Sequence, residues 1–263
     1  MQILITNDDG IDAPGLRALA EEMAREDDIE VTVVAPHLQR SVSGHSLTFH
    51  SPLRIIRQWQ EGKIRYYALD GTPSDCIMMG VFVLCPQKPD YVLTGINCGA
   101  NMGYDVSYSA TVSSALEGMV QGVPSIAVSI CGRSPRNYQT AAVYAKKVLN
   151  RCLGKDLPEG ELPLSVPKDT VLSINVPDLP FEEIKGAAFT HQGRSVYRQG
   201  VKSLKDPWGN DYYWIYGAVP EGSAEEGSDY KCVRDGYVSV TPIFMDATNY
   251  KALERLRSLN ISF

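Results

Sequence analysis

Two adjacent carboxylates, Asp8 and Asp9, are the strongest candidates for chemistry in this sequence. They repel each other unless a cation lies between them or one of them is protonated. Carboxylates that share a cation with hydroxyl and amide oxygens, such as those of Ser41 and Asn97, suit the hard ions Mg²⁺, Mn²⁺ and Ca²⁺. For an isolated Asp-Asp pair another arrangement is more common, in which one acid caps the helix near Pro14 and the other faces solvent. The pair alone leaves both interpretations open.

A second candidate is the hydroxyl-rich segment 109–114, which opens a predicted helix. Hydroxyls and unpaired backbone amides at a helix start can bind an anion such as phosphate without a basic side chain. A plain Ser or Thr cap is at least as common, and the preceding segment with Asn97, Gly99, Asn101 and Gly103 could equally form a tight turn. A metal site one loop away would favour phosphate binding.

His45, beside Gly44, is a candidate general acid, and a simple loop residue is an equal alternative. The four histidines show neither H-x-x-x-H nor H-x-H spacing, so the sequence does not predict a zinc site. It also contains no G-x-S-x-G, G-x-G-x-x-G or Walker motif. Their absence argues against a serine hydrolase, a classical dinucleotide-binding enzyme and a P-loop NTPase.

The elements that must position these residues alternate between strand and helix in the first part of the chain. We predict strands over residues 2–6, 30–35, 91–96, 125–130 and 171–176, helices over residues 15–25, 73–84, 111–121 and 137–152, and a hairpin formed by residues 53–59 and 63–69. Apolar strands joined by helices indicate a parallel sheet that is covered on both faces. The predicted fold is therefore α/β, with a doubly wound Rossmann-like core over residues 1–180.

In such a sheet, ligands bind beyond the carboxyl ends of the strands, at an edge that we call the carboxyl rim. Asp8 and Asp9 come after the first predicted strand, Ser41 after the second and Asn97 after the third buried strand. Parallel strands all end on the same rim, so we expect these four side chains to converge there. Their coincidence favours the metal site over the helix cap.

Residues 181–263 differ in character from the first part. Short aromatic or alternating runs, at 212–216 and 237–241, are separated by turns rich in glycine and acids, and residues 247–259 form an amphipathic helical pattern. We predict antiparallel β-hairpins that extend from the core and a terminal helix. Four aromatic residues within five positions make both faces of one strand apolar, namely Tyr212, Tyr213, Trp214 and Tyr216. This pattern indicates an extension used in oligomerisation, although a central strand of a local sheet is an alternative.

The composition of the 263 residues is that of a globular protein, with 44% hydrophobic and 21% charged residues. The net charge of −6 disfavours duplex nucleic acid as a partner. The longest mainly apolar run, residues 78–85, is far shorter than the roughly 20 residues that cross a membrane, and the early acids argue against a signal peptide. The six cysteines form no C-x-x-C pair, which predicts reduced thiols and a cytoplasmic protein.

Several ordered motifs resemble the survival protein E (SurE) family of nucleotidases. The resemblance spans nearly the whole chain and rests on ILITNDDGI at 3–11, VVAP at 33–36, RS at 40–41, GHS at 44–46, GTPSDC at 71–76, GINCGANMG at 95–103, LEG at 116–118, PWG at 207–209, YYW at 212–214 and GYVSVTP at 236–242. It implies a divalent-metal-dependent phosphatase acting on nucleoside 5′- and 3′-monophosphates and, in some members, on short polyphosphate. It also implies one Mg²⁺ or Mn²⁺ per subunit and homodimers or homotetramers with exchanged carboxyl-terminal elements.

The resemblance also implies roles for individual residues. The implied metal ligands are Asp8, Asp9, Ser41 and Asn97. The implied catalytic residues are Asp8, Asp9, Asn101, Ser109 and Thr111. The implied substrate contacts are Ser43, Gly44, His45, Asn101, Ser109 and Thr111. The chain departs from the family at Ala110, where Ser-Gly-Thr is usual, so we expect a narrower phosphate pocket and an altered rate or substrate preference.

Metal-assisted hydrolysis is the implied mechanism, with a metal-activated water as the nucleophile. Phosphatases that carry a D-x-D pair instead form an aspartyl-phosphate. Here Asp9 directly follows Asp8, where it is poorly placed to protonate the leaving group, so we expect direct attack by water. The alternative from another functional class is a nucleotide- or metal-binding sensor that does not turn over.

Overall fold

The computed structural model describes residues 1–155, 157–196, 199–217, 221–222 and 225–259. Its strands are β1 Gln2–Thr6, β2 Glu30–Pro36, β3 Ile55–Glu61, β4 Ile64–Leu69, β5 Tyr91–Cys98, β6 Ser125–Cys131, β7 Val171–Pro177, β8 Ala187–Phe189, β9 Ser195–Val196, β10 Gln199–Lys205, β11 Asp211–Gly217, β12 Glu221–Gly222 and β13 Val238–Ile243. Its α-helices are α1 Pro14–Ala24, α2 Pro73–Met79, α3 Ala110–Val120, α4 Tyr138–Leu153, α5 Asp229–Arg234 and α6 Tyr250–Arg257. A π-helical segment, Gly80–Leu84, continues α2.

The described residues form one large, mostly parallel sheet of nine strands in the order β3-β4-β2-β1-β5-β6-β7-β13-β8. The six strands from β4 to β7 run parallel, and β3 pairs with β4 as the predicted antiparallel hairpin. Strand β2 lies on one side of β1, and β5, which follows later in the chain, lies on the other side. This reversal of strand order places a crevice at the carboxyl ends of β1 and β5.

Helices cover both faces of the sheet. Successive side chains of β1 point to opposite faces, so Ile3 and Ile5 pack with α1 and α4, whereas Leu4 packs with α2. Helix α3 lies beside α2 on that second face. The doubly wound α/β prediction is therefore confirmed.

Two glycines allow neighbouring backbone to approach β5 closely. A Cβ atom at Gly15 would lie 2.2 Å from the carbonyl oxygen of Ile96, and one at Gly95 would lie 2.2 Å from that of Val128. Gly95 also has a φ of +124°, which glycine adopts readily. The register of β5 against β6 shifts just before Asn97. These contacts shape the backbone that carries Asn97 to the carboxyl rim.

The carboxyl-terminal region only partly matches the prediction. The pair β10–β11 is an antiparallel hairpin outside the main sheet, and α6 lies within the predicted terminal helix. The prediction that 237–241 belongs to a hairpin extending from the core is wrong, because β13 joins the main sheet antiparallel to β7. Val238 and Val240 bury their side chains in the core, which explains this pairing. The main sheet therefore extends beyond residue 180, while residues 197–198, 218–220, 223–224 and 260–263 lie outside the described residues.

No helix in the described part of the chain is long and apolar enough to cross a lipid bilayer.

Candidate functional site

Asp8 is buried directly beyond β1, and its carboxylate contacts the start of α3. The side chain accepts a 2.7 Å hydrogen bond from the Thr111 hydroxyl, and Asp8 is only 5% exposed. Burial raises the pKa of Asp8 to about 6, and the neighbouring charge of Asp9 adds to this effect, while the bond from Thr111 opposes it. The first turn of α3 and the acid pair thus form one unit.

Asp9 is half-buried and lies between the loops that follow β5 and β2. One carboxylate oxygen accepts the backbone N–H of Cys98 at 2.9 Å, and the other lies 3.4 Å from the side-chain nitrogen of Gln39. Burial raises the pKa of Asp9 as well. The same Gln39 nitrogen donates to the Ser41 hydroxyl at 2.9 Å, which brings Ser41 next to the acid pair. Helix α1 has Ala13 at its N-cap with no side-chain cap, so neither acid caps that helix.

Two asparagines donate hydrogen bonds from their side-chain amide nitrogens to backbone carbonyls in turns. Asn7 donates to the Gly10 carbonyl and Asn97 to the Gly99 carbonyl, each at 2.9 Å. The side-chain oxygen of Asn7 is buried and has no hydrogen-bond partner among the described residues. A buried oxygen of this kind is costly unless a ligand or water satisfies it.

These donors fit a hard divalent cation. Two carboxylates, a hydroxyl and amide oxygens are the ligand types that Mg²⁺ and Mn²⁺ accept, and the unpartnered Asn7 oxygen lies beside them in sequence. Nowhere in the described ranges do three or more His, Cys, Asp or Glu side chains form a cluster suited to a metal. A cation here would therefore depend on neutral oxygens as well as on the acid pair.

The start of α3 combines a helix cap with the contact to Asp8. Ser109 is the N-cap, and its hydroxyl accepts the Val112 backbone N–H at 3.1 Å. Thr111 is fully buried and also receives at its carbonyl a 2.7 Å bond from the Thr94 hydroxyl. Ala110 has no exposed surface, so its methyl group does not line an accessible pocket in this structure. The helix start is capped and hydrogen-bonded to Asp8.

His45 belongs neither to a free loop nor to the acid pair. Its Nε2 atom lies 2.6 Å from a carboxylate oxygen of Glu117, which is 4% exposed on α3. The other Glu117 oxygen accepts a 2.6 Å bond from Gln121. The contact anchors the segment that carries Ser43, whose hydroxyl is buried without a hydrogen-bond partner among the described residues.

Asn101 is hydrogen-bonded to the two strands that follow β5 in the sheet. Its side-chain nitrogen donates to the Ser129 hydroxyl at 2.8 Å, and its backbone N–H donates to Asn175 at 2.8 Å. These partners stand on β6 and β7. The structure therefore joins Asp8, Asp9, Ser41, Asn97 and Thr111 around the ends of β1 and β5, and it holds Asn101 against the next strands along the rim.

Sequence reasoning missed several residues that organise the rim. Asn7 and Gln39 were detectable as polar residues after predicted strands, yet their types alone did not distinguish them from ordinary loop residues. Glu117, Asn175 and Asp229 act through partners far away in the chain, and no local pattern marks such pairs.

Comparison with known proteins shows the family to which this chain belongs. The family model described as "Survival protein SurE" matches residues 3–199. The 5′-nucleotidase SurE of Geobacter sulfurreducens is 43% identical over 263 residues, covering 100% of this chain and 95% of that protein. The 5′-nucleotidase SurE of Symbiobacterium thermophilum is 40% identical and covers 99% of each.

A solved structure agrees with these relatives. The crystal structure of the SurE protein from Aquifex aeolicus matches with a TM-score of 0.80 at 40% sequence identity, covering 99% of this chain and 100% of that chain. The resemblance seen in the sequence is thus confirmed in sequence and in fold. This chain belongs to the survival protein SurE family.

Proposed function

We propose that this protein hydrolyses nucleoside 5′-monophosphates to nucleoside and phosphate with the help of a divalent cation. The observation that carries the proposal is the 2.7 Å hydrogen bond from Thr111 to Asp8, because it joins an anion-binding helix start to an acid pair. Relatives that share 43% and 40% of their residues with this chain are named 5′-nucleotidases.

The proposal extends to nucleoside 3′-monophosphates and to short polyphosphate. The features offered to the phosphate are hydroxyls and backbone amides at the start of α3, which recognise a phosphate group and not a base. A terminal phosphate on any of these molecules presents the same oxygens.

One Mg²⁺ or Mn²⁺ per subunit would be held by Asp8, Asp9, Ser41 and Asn97. When bound, the cation neutralises charge that develops on the phosphate and lowers the pKa of a water molecule. Asp8 and Asp9 would supply the negative charge, and the Gln39 side-chain nitrogen links the Ser41 hydroxyl to Asp9. The Cys98 backbone N–H fixes the Asp9 carboxylate so that its second oxygen faces the β2 loop.

The chain itself binds and orients the phosphate. The backbone N–H groups of Ala110 and Thr111 lie in the first turn of α3, where a helix provides no acceptor for them. A phosphate that reaches this turn would have its negative charge stabilised by these N–H groups. Ser109 holds the turn by capping it, and Asn101 holds the preceding loop.

The loop after β2 completes the substrate contacts. We place Ser43, Gly44 and His45 against the substrate, with Glu117 holding His45 in position. The buried Ser43 hydroxyl has no hydrogen-bond partner within the described ranges, and a phosphate or sugar oxygen would supply one.

We also propose that subunits associate as homodimers or homotetramers and that the protein works in the cytoplasm. The hairpin β10–β11 supports association because Tyr213 and Trp214 are 64% and 62% exposed on it. All six cysteines are free thiols, as is usual in a reducing compartment.

A phosphate-release panel tests this proposal. Purified protein is incubated with a nucleoside 5′-monophosphate, its 3′-isomer and tripolyphosphate, each with Mg²⁺, Mn²⁺ or a chelator. We expect release that a chelator abolishes, with the 5′-monophosphate among the substrates. Nucleotide binding without release under every metal condition would overturn the enzymatic proposal and support the sensor.

A further inference from the structure

Residues 101–103 connect the end of β5 to the segment that leads into α3. Asn101 exchanges two hydrogen bonds with the Asn175 side chain, one from its backbone N–H at 2.8 Å and one to its carbonyl at 3.1 Å. Asn175 lies on β7, so the first residue of the segment is held from a strand that is distant in the chain.

Gly103, at the other end of the segment, is held through both of its peptide groups by the last third of the chain. Its N–H donates to a carboxylate oxygen of Asp229 at 2.8 Å, and its carbonyl accepts a bond from Gln192. The Tyr230 hydroxyl adds a 3.3 Å bond to the Met102 carbonyl. Residues 101–103 are therefore held by Gln192 and by the first two residues of α5, Asp229 and Tyr230.

Asp229 is a buried junction of three chain segments. It is 1% exposed, and besides Gly103 it accepts the backbone N–H groups of Gly193 at 2.9 Å and Tyr230 at 2.7 Å. Hydrogen bonds to an ionised acceptor are short and strong. Removing such an acceptor leaves buried N–H groups without a partner, which is costly.

We propose that Asp229 is a positioning residue for phosphate binding and turnover. It fixes Gly103 and thereby the segment that places Asn101 and the start of α3. The inference rests on the proposed function, and Asp229 itself does not contact the substrate. It gives the carboxyl-terminal region a role inside its own subunit that is separate from association.

The principal test is Asp229→Asn, which keeps the side-chain shape but replaces one acceptor oxygen by an NH₂ group facing backbone N–H donors. We expect kcat to fall by about 10-fold or more, because small displacements of binding groups have large effects on rate. The affinity for inorganic phosphate, measured by calorimetry on the metal-loaded protein, should fall in parallel. The metal concentration for half-maximal activity should change by less than about 2-fold, because Asp8 and Asp9 are untouched, and light scattering should show an unchanged assembly.

Gln192→Ala is a milder second variant. It removes the other contact to Gly103 without disturbing a buried charge, and Gln192 is exposed, so the fold should survive. We expect a smaller fall in kcat and in phosphate affinity of about 3-fold. If Asp229→Asn does not fold, this variant tests the positioning role by itself.

Asp178→Asn is the matched control. The Asp178 carboxylate also accepts backbone N–H groups on the carboxyl rim, from Arg136 at 3.0 Å and Asn137 at 2.9 Å, but it does not contact residues 101–103. It should lower the melting temperature and leave kcat and phosphate affinity unchanged.

Three outcomes separate the hypotheses. If the wild-type protein releases phosphate and both loop variants fold with wild-type kcat and phosphate affinity, the positioning role is overturned. An equal loss in Asp178→Asn would overturn it too, because the effect would then be general. If the wild-type protein releases no phosphate with any metal, the proposed function itself fails, and unchanged phosphate affinity in the variants would overturn the positioning role independently.

Discussion

The carboxyl rim buries polar side chains, whereas the hairpin β10–β11 exposes apolar ones. On the rim, Asp8, Asn101 and Thr111 are between 0% and 7% exposed, whereas on the hairpin Trp214 and Ile215 are 62% and 80% exposed. A buried polar group is costly until something binds it, and an exposed apolar surface is costly until something covers it. Each region leaves one such cost in place among the described residues: the buried Asn7 oxygen has no partner on the rim, and the aromatic strand of the hairpin has no cover.

Replacement of an acid in the rim should have the largest effect. Asp8→Asn or Asp9→Asn removes negative charge from the proposed cation site, so turnover at limiting metal should fall by roughly 100-fold or more. The measurement is phosphate release against metal concentration. Asp12→Asn is the control, because Asp12 is an exposed acid in the same loop that pairs with Arg57. Normal activity of Asp8→Asn at limiting metal would contradict the metal assignment.

Removal of the hairpin should affect assembly. Deletion of residues 203–217 takes away the exposed aromatic strand, so we expect monomers or aggregates in light scattering. A single replacement of another exposed apolar residue, Leu162→Ser, serves as a control because Leu162 is 86% exposed and lies outside the hairpin. An unchanged oligomer after the deletion would show that the hairpin is not the interface.

The stability of the metal-free protein should show how much free energy the burial of Asp8 costs. Because burial raises the pKa of Asp8 from 3.8 to about 6, the native state binds this proton more tightly than the unfolded state does. The free energy of unfolding should therefore fall as pH rises between about 4 and 6. At pH 7 with a chelator, Asp8→Asn should be more stable than wild type by up to about 3 kcal/mol. Urea denaturation at pH 7 and pH 3.5 checks this, since the gain should vanish at the lower pH.

The contact between His45 and Glu117 should have a smaller effect. Glu117→Gln weakens the anchor of the loop that carries Ser43, so we expect KM to rise by about 3- to 10-fold with kcat little changed. Glu22→Gln is the matched control, because Glu22 is equally buried and pairs with Arg25 and Gln139 away from the rim. Equal KM values for both variants would refute the anchoring role.

The order of strands and helices in the sequence predicted which side chains meet on the carboxyl rim. Asp8, Ser41 and Asn97 were placed together because parallel strands end on one rim, a rule that needs only the order of strands and helices. His45 and Glu117 lie 72 positions apart, and Gly103 and Asp229 lie 126 apart. Spacing in the sequence cannot predict such pairs, since either partner alone resembles an ordinary polar residue.

The carboxyl-terminal region shows a second reason for error. An alternating strand pattern such as that of β13 fits a hairpin and a half-buried sheet strand equally well. The structure decides for the main sheet because the Val238 and Val240 side chains complete the core next to β7. The pattern predicted a strand, and tertiary packing selected its partner.

The close backbone contacts at Gly15 and Gly95 have a consequence for genetic variation. Any side chain at either position would place its Cβ atom 2.2 Å from a carbonyl oxygen, and no rotamer change can relieve a clash with backbone. Gly62 and Gly209 stand in turns where a Cβ atom would have no neighbour within 4 Å. In a library that randomises single codons and is selected for phosphate release, codons 15 and 95 should return almost exclusively glycine, while codons 62 and 209 admit asparagine and aspartate. Close packing of backbone around β5 would then constrain two codons that are 80 positions apart, one in α1 and one in β5.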